Sequence, residues 1–143
     1  MRFGSDCILY SSFPADSQAA GSPTTLWIPI KGFKRAAVFV SVGDMATNST
    51  IDVKVQSATD ASGTSAADIT GAALTQITQA GTDQSNTDAM IDVDLEHVSD
   101  QADTHIGVVI TVGTAASELS VLTALYGAEN SSDATGGDET VIV

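Results

Sequence analysis

The sequence predicts an all-β protein whose strands form an antiparallel sandwich. Aliphatic and polar residues alternate along several segments, as they do in strands that bury one face. These segments are short, and turns or polar loops separate them, which is typical of sandwiches and barrels. We therefore expect about eight strands in a jelly-roll-like arrangement, with an immunoglobulin-like sandwich as the alternative.

The first thirty residues are predicted to contain two strands. Residues 5–10 form the first strand, and residues 11–23 form a turn-rich connection with two prolines. Residues 24–30 form the second strand. Because Pro29 has no amide proton to donate, this strand should lie at an edge of its sheet. Trp27 would then be half exposed.

The next predicted strand, residues 36–42, is apolar on both faces. Val38 and Val40 belong to an alternating row that indicates a buried face, yet Ala37 and Phe39 lie on the opposite side. This pattern is typical of a central strand whose second face is also covered. Loops or neighbouring elements would provide that cover, and a second face that needs cover is also compatible with a homo-oligomer.

The clearest strand is predicted at residues 50–56, where Ile51, Val53 and Val55 share one face. Residues 57–68 follow as a polar loop with almost no large side chains, which places it on the surface. Further strands are predicted at residues 73–79, 89–95, 105–112 and 118–127. The first of these also fits a helical turn.

One stretch carries a resemblance to a known family. Residues 53–64 read V-K-V-Q-S-A-T-D-A-S-G-T, and residues 66–70 read A-A-D-I-T. The stretch resembles small structural proteins that are encoded beside the major capsid protein in tailed, bacteriophage-like viruses. The resemblance implies a head decoration (cement) protein that binds and stabilises the outer surface of the capsid. It also implies a jelly-roll-like sandwich, a homo-oligomer with the trimer as the expected state, and no enzymatic activity.

The partners that this resemblance implies are the major capsid protein and further copies of the chain. The implied location is the capsid surface of a virion, after synthesis in the host cytoplasm. A carbohydrate- or receptor-binding sandwich on a virion or cell surface is the alternative. Sugar sites generally need exposed aromatic side chains, and the chain has one Trp and two Tyr, so this alternative ranks second.

The chain is strongly acidic, with 18 Asp and Glu against 5 Lys and Arg and a formal net charge of −13. Phosphate backbones are bound by Lys and Arg, so we expect no nucleic-acid partner. Anionic membrane surfaces are disfavoured for the same reason. No apolar run approaches the ~20 residues that span a bilayer, and we expect no signal peptide.

Two groups of polar residues are interpreted as solvated surface. Asp92, Asp94 and Glu96 line the outer face of one predicted strand. His97 and His105 flank a turn with Asp100 and Asp103 but fall short of the three or four ligands of a zinc site. We therefore expect no catalytic residues and no metal centre.

An oxygen-rich turn leaves weak Ca²⁺ binding open, although it lacks the spacing of an EF-hand. Its residues are Asp83, Ser85, Asn86 and Asp88. We otherwise expect no cofactor. Cys7 has no second cysteine with which to form a disulfide, and its apolar neighbours predict that it is buried.

The candidate partner interface combines a basic turn with the two ends of the chain. Residues 31–35 hold three of the five basic residues, which favours an acidic partner surface. Val141–Val143 could add a strand to a neighbour's open sheet edge. The candidate residues are Arg2, Phe3, Trp27, Lys31, Phe33, Lys34, Arg35, Val141, Ile142 and Val143. Residues 1–128 are predicted to be a single domain, and residues 129–143 an acidic, Gly/Ser-rich tail.

Overall fold

Two antiparallel sheets form the structure, a computed structural model that describes residues 6–99 and 102–128. The elements are β1 (Cys7–Gln18), β2 (Trp27–Pro29), β3 (Phe33–Met45), β4 (Thr50–Ala58), β5 (Ala67–Ala73), β6 (Ile77–Thr78), β7 (Asp88–Asp94), α1 (Leu95–Ser99), β8 (His105–Gly113) and β9 (Ser117–Ala128). One sheet has the order β1-β9-β3-β7. The other has the order β2-β8-β4-β5, with β6 beside β4. The predicted all-β sandwich is confirmed.

The strand order is that of a jelly roll. β1 pairs with β9 in one sheet, β2 pairs with β8 in the other, and the chain alternates between the sheets from β1 to β4. With the two-residue β6 set aside, each sheet has four strands. An immunoglobulin-like sandwich would place its first two strands side by side in one sheet.

The core lies between the two sheets and consists mainly of Val, Ile and Leu. The alternation predicted for β3, β4 and β8 is confirmed, because their inward rows are almost completely buried. These rows include Val38, Val40, Ile51, Val53, Val55, Ile106, Val108 and Ile110. Two hydroxyl pairs lie among them: Ser12 with Thr123 at 2.9 Å, and Ser49 with Ser117 at 2.7 Å. Each pair satisfies polar atoms that would otherwise be buried without a partner.

The prediction of a turn at residues 11–23 is wrong over its first half, because β1 continues to Gln18. Pro14 lies inside this strand. β1 is an edge strand, and its pairing with β9 shifts register between Ser11 and Phe13 and again between Phe13 and Asp16. Edge position and bulges are the conditions under which a sheet accepts proline.

Three boundaries downstream also differ from the prediction. β5 begins at Ala67, inside the predicted loop, and the strand predicted at residues 73–79 is reduced to β6. The strand predicted to end at residue 95 ends at Asp94, and α1 follows it. The Asp94 carboxylate accepts a hydrogen bond from the Glu96 amide at 3.0 Å, as a helix N-cap does.

Three predictions near the start of the chain are confirmed. β2, which ends at Pro29, lies at the edge of its sheet and pairs only with β8. Trp27 is half-buried, and Cys7 is buried. Arg2, Phe3 and residues 129–143, with their apolar segment Val141–Val143, lie outside the described residues.

Candidate interaction face

The outward side of the sheet β1-β9-β3-β7 carries a contiguous set of apolar side chains, here called the apolar face. The register places Leu122 beside Phe39, and Phe39 beside Met90. In the next row, Leu9 pairs with Ala124. The apolar face lines a groove of about 430 Å³ and consists of Cys7, Leu9, Ala37, Phe39, Met90, Leu122, Ala124 and Tyr126.

Four large side chains of the apolar face are open to solvent. Leu9 is 37%, Leu122 40%, Phe39 44% and Met90 56% exposed. Among the described residues, one further large apolar side chain is comparably exposed, Leu26, which lies outside this face. The outer side of an antiparallel sheet is normally polar, and clustered exposed apolar residues mark sites of interaction.

One end of the apolar face is closed by a charged network. Arg35 donates one hydrogen bond to the Asp92 carboxylate and another to the Tyr126 hydroxyl, the latter at 3.0 Å. The Tyr126 hydroxyl in turn donates to Asp92 at 2.9 Å. The hydrogen bond from Arg35 lowers the pKa of Asp92, against the raising effect of partial burial. The hydrogen bonds to Asp92 and Tyr126 also raise the pKa of Arg35.

The opposite end of the apolar face carries carboxylates. Asp88 accepts a hydrogen bond from Ser41 at 2.7 Å, and Ser41 pairs with Ser120 in β9. Asp16 and Glu118 line a second groove that includes Ser41 and Ser120. We call Asp16, Asp88 and Glu118 the acidic end. The ion pairs of the described chain involve none of these three carboxylates.

The structure separates the residues of the predicted basic interface. Phe33 is buried in the core. Lys34 lies 3.7 Å from Glu96, and Arg35 is bound to Asp92. Lys31 is exposed, in a turn between β2 and β3. The prediction that these residues contact a partner remains a prediction, but two of the three cations already have a carboxylate neighbour.

Trp27 lies far along the chain from the residues that surround it. A Cβ atom added to Gly63 would meet its indole at 2.5 Å, and one added to Gly107 would meet the same ring at 2.8 Å. The ring therefore packs between β8 and the loop that follows β4. This position leaves the ring half-buried, as the sequence predicts, and the contact of Trp27 with a partner remains a prediction.

Polar side chains that were considered as metal ligands form local hydrogen bonds instead. His105 lies at the start of β8, and its Nδ1 is 2.8 Å from the Thr104 hydroxyl. His97 lies on α1. Asp83 accepts hydrogen bonds from the amide and hydroxyl of Ser85, which lower its pKa. The described ranges contain no group of three metal-binding side chains, and Asp100 lies outside them.

Sequence reasoning identified part of the apolar face. It placed Phe39 on a second apolar side of its strand, and it placed Asp92, two residues after Met90, on the outer face of another. It did not identify Leu9 or Leu122, because their alignment with Phe39 depends on the strand order β1-β9-β3. Arg35 and Asp92 were missed as a pair for the same reason, since they meet only through the pairing of β3 with β7.

No helix within residues 6–99 and 102–128 is long and apolar enough to cross a membrane.

No protein-family model and no curated protein sequence matches the chain. Solved structures do. The VP2 subviral particle of infectious bursal disease virus is similar, with 9% identity, a TM-score of 0.46, and coverage of 85% of this chain and 32% of that one. The Gt strain of the same virus matches with 8% identity, a TM-score of 0.43 and coverage of 85% and 33%. A Bacillus endospore appendage, from a family of disulfide-linked pili, matches with 17% identity, a TM-score of 0.37 and coverage of 88% and 94%. The chain spans about a third of the length of the viral chains that it matches.

Proposed function

We propose that this chain is a structural protein of a tailed-virus particle, a decoration (cement) protein that binds the outer surface of the head. The observation that supports this most directly is the apolar face. Leu9, Phe39, Met90 and Leu122 expose large side chains on neighbouring strands of a rigid sheet. Such a surface suits association with another protein, because burial of apolar surface is the main favourable term in most protein–protein association.

The resemblance of residues 53–70 to small virion proteins supports the same proposal independently of the apolar face. That stretch includes most of β4 and the loop after it, in the opposite sheet. The partner is the major capsid protein, and the chain binds as a homo-oligomer, with the trimer as the expected state. It is made in the host cytoplasm and resides on the capsid surface.

The role depends on contact and involves no chemical step. A jelly roll provides a stiff body, since its core rows are buried on both sheets. Its acidic surface repels nucleic acid and keeps the free protein soluble until it meets the particle. The carbohydrate-binding alternative gains no support from the Trp and Tyr residues. Trp27 is packed against Gly63, Tyr126 is bound to Arg35 and Asp92, and Tyr10 is packed against the core.

Co-expression with the major capsid protein of the same genome tests the proposal. Particles would be separated by sedimentation, and the chain quantified by mass spectrometry and by cryo-electron microscopy of the particles. We expect the chain to sediment with the particles and to appear as oligomers at fixed positions on the outer surface. Isolated single copies would contradict the oligomer, and a chain that stays in the soluble fraction would contradict the role on the capsid.

A further inference from the structure

The acidic end of the apolar face has no cationic partner within the described part of the chain. Lys34, Arg35 and Lys54 each lie within ion-pair distance of a carboxylate elsewhere. Asp16, Asp88 and Glu118 are exposed and belong to none of these pairs. Whatever covers the apolar face therefore meets a margin of uncompensated negative charge, and this restricts what the partner can be.

A second copy of the chain is a poor occupant of the apolar face, so the proposed homo-oligomer would form through other surfaces. Each copy has a formal net charge of −13, and its Lys34, Arg35 and Lys54 are already committed to its own carboxylates. Two such faces in contact would join two strongly acidic bodies, with Lys31 as the one described cation outside an ion pair to offset their charge. Like charges placed opposite each other weaken association.

The residues that follow β9 are also poorly suited to cover the apolar face. Residues 129–143 contain four acidic side chains and no Lys or Arg. Their apolar residues, Val141–Val143, come after all four acidic residues in the chain. A tail that crossed the sheet towards Phe39 would add negative charge to a face that already has an excess of it. Charge complementarity thus disfavours this occupant as well.

We infer that the apolar face docks on a partner protein surface whose aliphatic side chains fill the groove and whose Lys or Arg side chains meet the acidic end. This inference rests on the proposed function and names the surface of the capsid protein that would be recognised. The spacing follows from the strands. Asp88 lies two residues from Met90, and Glu118 lies four from Leu122, or ~7 and ~13 Å along extended chains. The Lys or Arg side chains of the partner should therefore lie ~7 to ~13 Å from the aliphatic side chains that fill the groove.

The apolar half of the inference is tested with two matched variants. Leu122 and Leu26 are 40% and 42% exposed, but only Leu122 belongs to the apolar face. The capsids are assembled from the major capsid protein that the same genome encodes. We expect Leu122→Ser to weaken binding to them by about tenfold or more, as the loss of a side chain at the centre of an interface does. Leu26→Ser is the control and should bind as the parent does. Circular dichroism melting confirms that both variants are folded.

The charged half is tested with Glu118→Gln and its control, Asp52→Asn. Each removes one exposed carboxylate from a strand, but Asp52 lies on the outer side of the other sheet. We expect Glu118→Gln to weaken capsid binding by about threefold at low salt. The salt dependence of its binding should also be shallower between about 0.1 and about 1 M NaCl, where the Debye length falls from ~10 to ~3 Å. Asp52→Asn should keep the parent's affinity and its salt dependence.

The outcomes separate the inference from the proposed function. If the parent protein does not bind capsids, the proposed function is wrong. If the parent binds and Leu122→Ser binds equally well, the function stands and the docking face lies elsewhere. If Leu122→Ser converts a soluble oligomer of the parent to a monomer, a second copy covers the face and the inference is overturned. Tighter binding by Glu118→Gln would exclude a cationic partner surface.

Discussion

The indole ring of Trp27 packs directly against Gly63, although the two residues lie in different parts of the chain. A Cβ atom at residue 63 would lie 2.5 Å from the indole Nε1. Gly63 also has a φ of +78°, in the left-handed region that side chains disfavour. The surrounding loop is held by its own hydrogen bonds, with the Asp60 carboxylate accepting from the amides of Ser62 and Thr64. The ring and the loop therefore fix each other against β8.

Replacing Gly63 by Ala should destabilise the protein more than the same change at Gly81. The two glycines have φ values of +78° and +79°, but nothing lies within 4 Å of a Cβ at Gly81. The backbone strain is therefore similar in the two variants, and the difference between their free energies of unfolding measures the clash with Trp27. We expect Gly63→Ala to lower the free energy of unfolding by about 1–3 kcal/mol more than Gly81→Ala, measured by urea denaturation and circular dichroism. Equal losses would show that the ring moves aside freely, and a Trp27→Ala background should remove the difference.

The fold was predictable from the sequence where the residues of a single strand show the pattern of buried and exposed positions by themselves. Ile51, Val53 and Val55 alternate with polar residues, and their burial follows from strand geometry without knowledge of any neighbour. β1 was not fully predictable, because Pro14 and the polar residues around it are typical of a turn. They are accommodated by an edge position and two register shifts, which depend on how β9 pairs with β1.

The candidate site was predictable only in part, for a related reason. Phe39 lies on an apolar strand face that the sequence alone indicates. Its contact with Leu122 and Met90 depends on the order of strands that are far apart in the chain. The basic turn appeared free in the sequence, but the pairing of β3 with β7 brings Arg35 to Asp92. Long-range register, rather than local pattern, decides which surface is open.

The ion pair of Arg35 with Asp92 should make stability depend on pH in the acidic range. The pKa of Asp92 is lowered in the folded protein, chiefly by the hydrogen bond from Arg35. A lowered folded pKa stabilises the protein above the unfolded value of ~3.9, and this stabilisation is lost as the pH falls through the folded pKa. We expect Asp92→Asn to be less stable than the parent at pH ~7, with a difference that shrinks below pH ~4.

Urea denaturation across the pH range measures this difference. Asp52→Asn serves as the control, because Asp52 accepts hydrogen bonds from Gln76 and has no ion pair among the described residues. At neutral pH, Asp52→Asn should lower the free energy of unfolding by less than Asp92→Asn does. A deficit of Asp92→Asn that stays constant down to pH ~2 would show that the carboxylate charge is not what stabilises the site.

The buried hydroxyl pair of Ser12 and Thr123 should show strong coupling in a double-mutant cycle. The two oxygens are 2.9 Å apart, and Thr123 is completely buried. Thr123→Val leaves the Ser12 hydroxyl without its partner, so we expect a loss of about 1–3 kcal/mol in the free energy of unfolding. Adding Ser12→Ala removes the orphaned hydroxyl and should recover part of that loss. Additive effects of the two substitutions would mean that the pair contributes nothing beyond its separate members.

Uncompensated carboxylates should also make thermal stability depend on salt. The chain has 18 acidic residues against 5 basic ones, so most of its carboxylates have no cation to pair with. Their mutual repulsion is screened as the Debye length falls from ~10 Å at 0.1 M to ~3 Å at 1 M salt. We expect the melting temperature to rise as NaCl is added, followed by circular dichroism.

Two substitutions distinguish this repulsion from a general effect of salt on folding. Glu118→Gln removes a carboxylate that belongs to no ion pair of the described chain, whereas Asp92→Asn breaks the pair with Arg35. The first should raise the melting temperature at low salt and reduce its rise with NaCl, because less repulsion remains to be screened. The second should lower the melting temperature, because it removes an attraction as well as a charge. A melting temperature that is flat or falls with NaCl would show that the charges are too dispersed to act on one another.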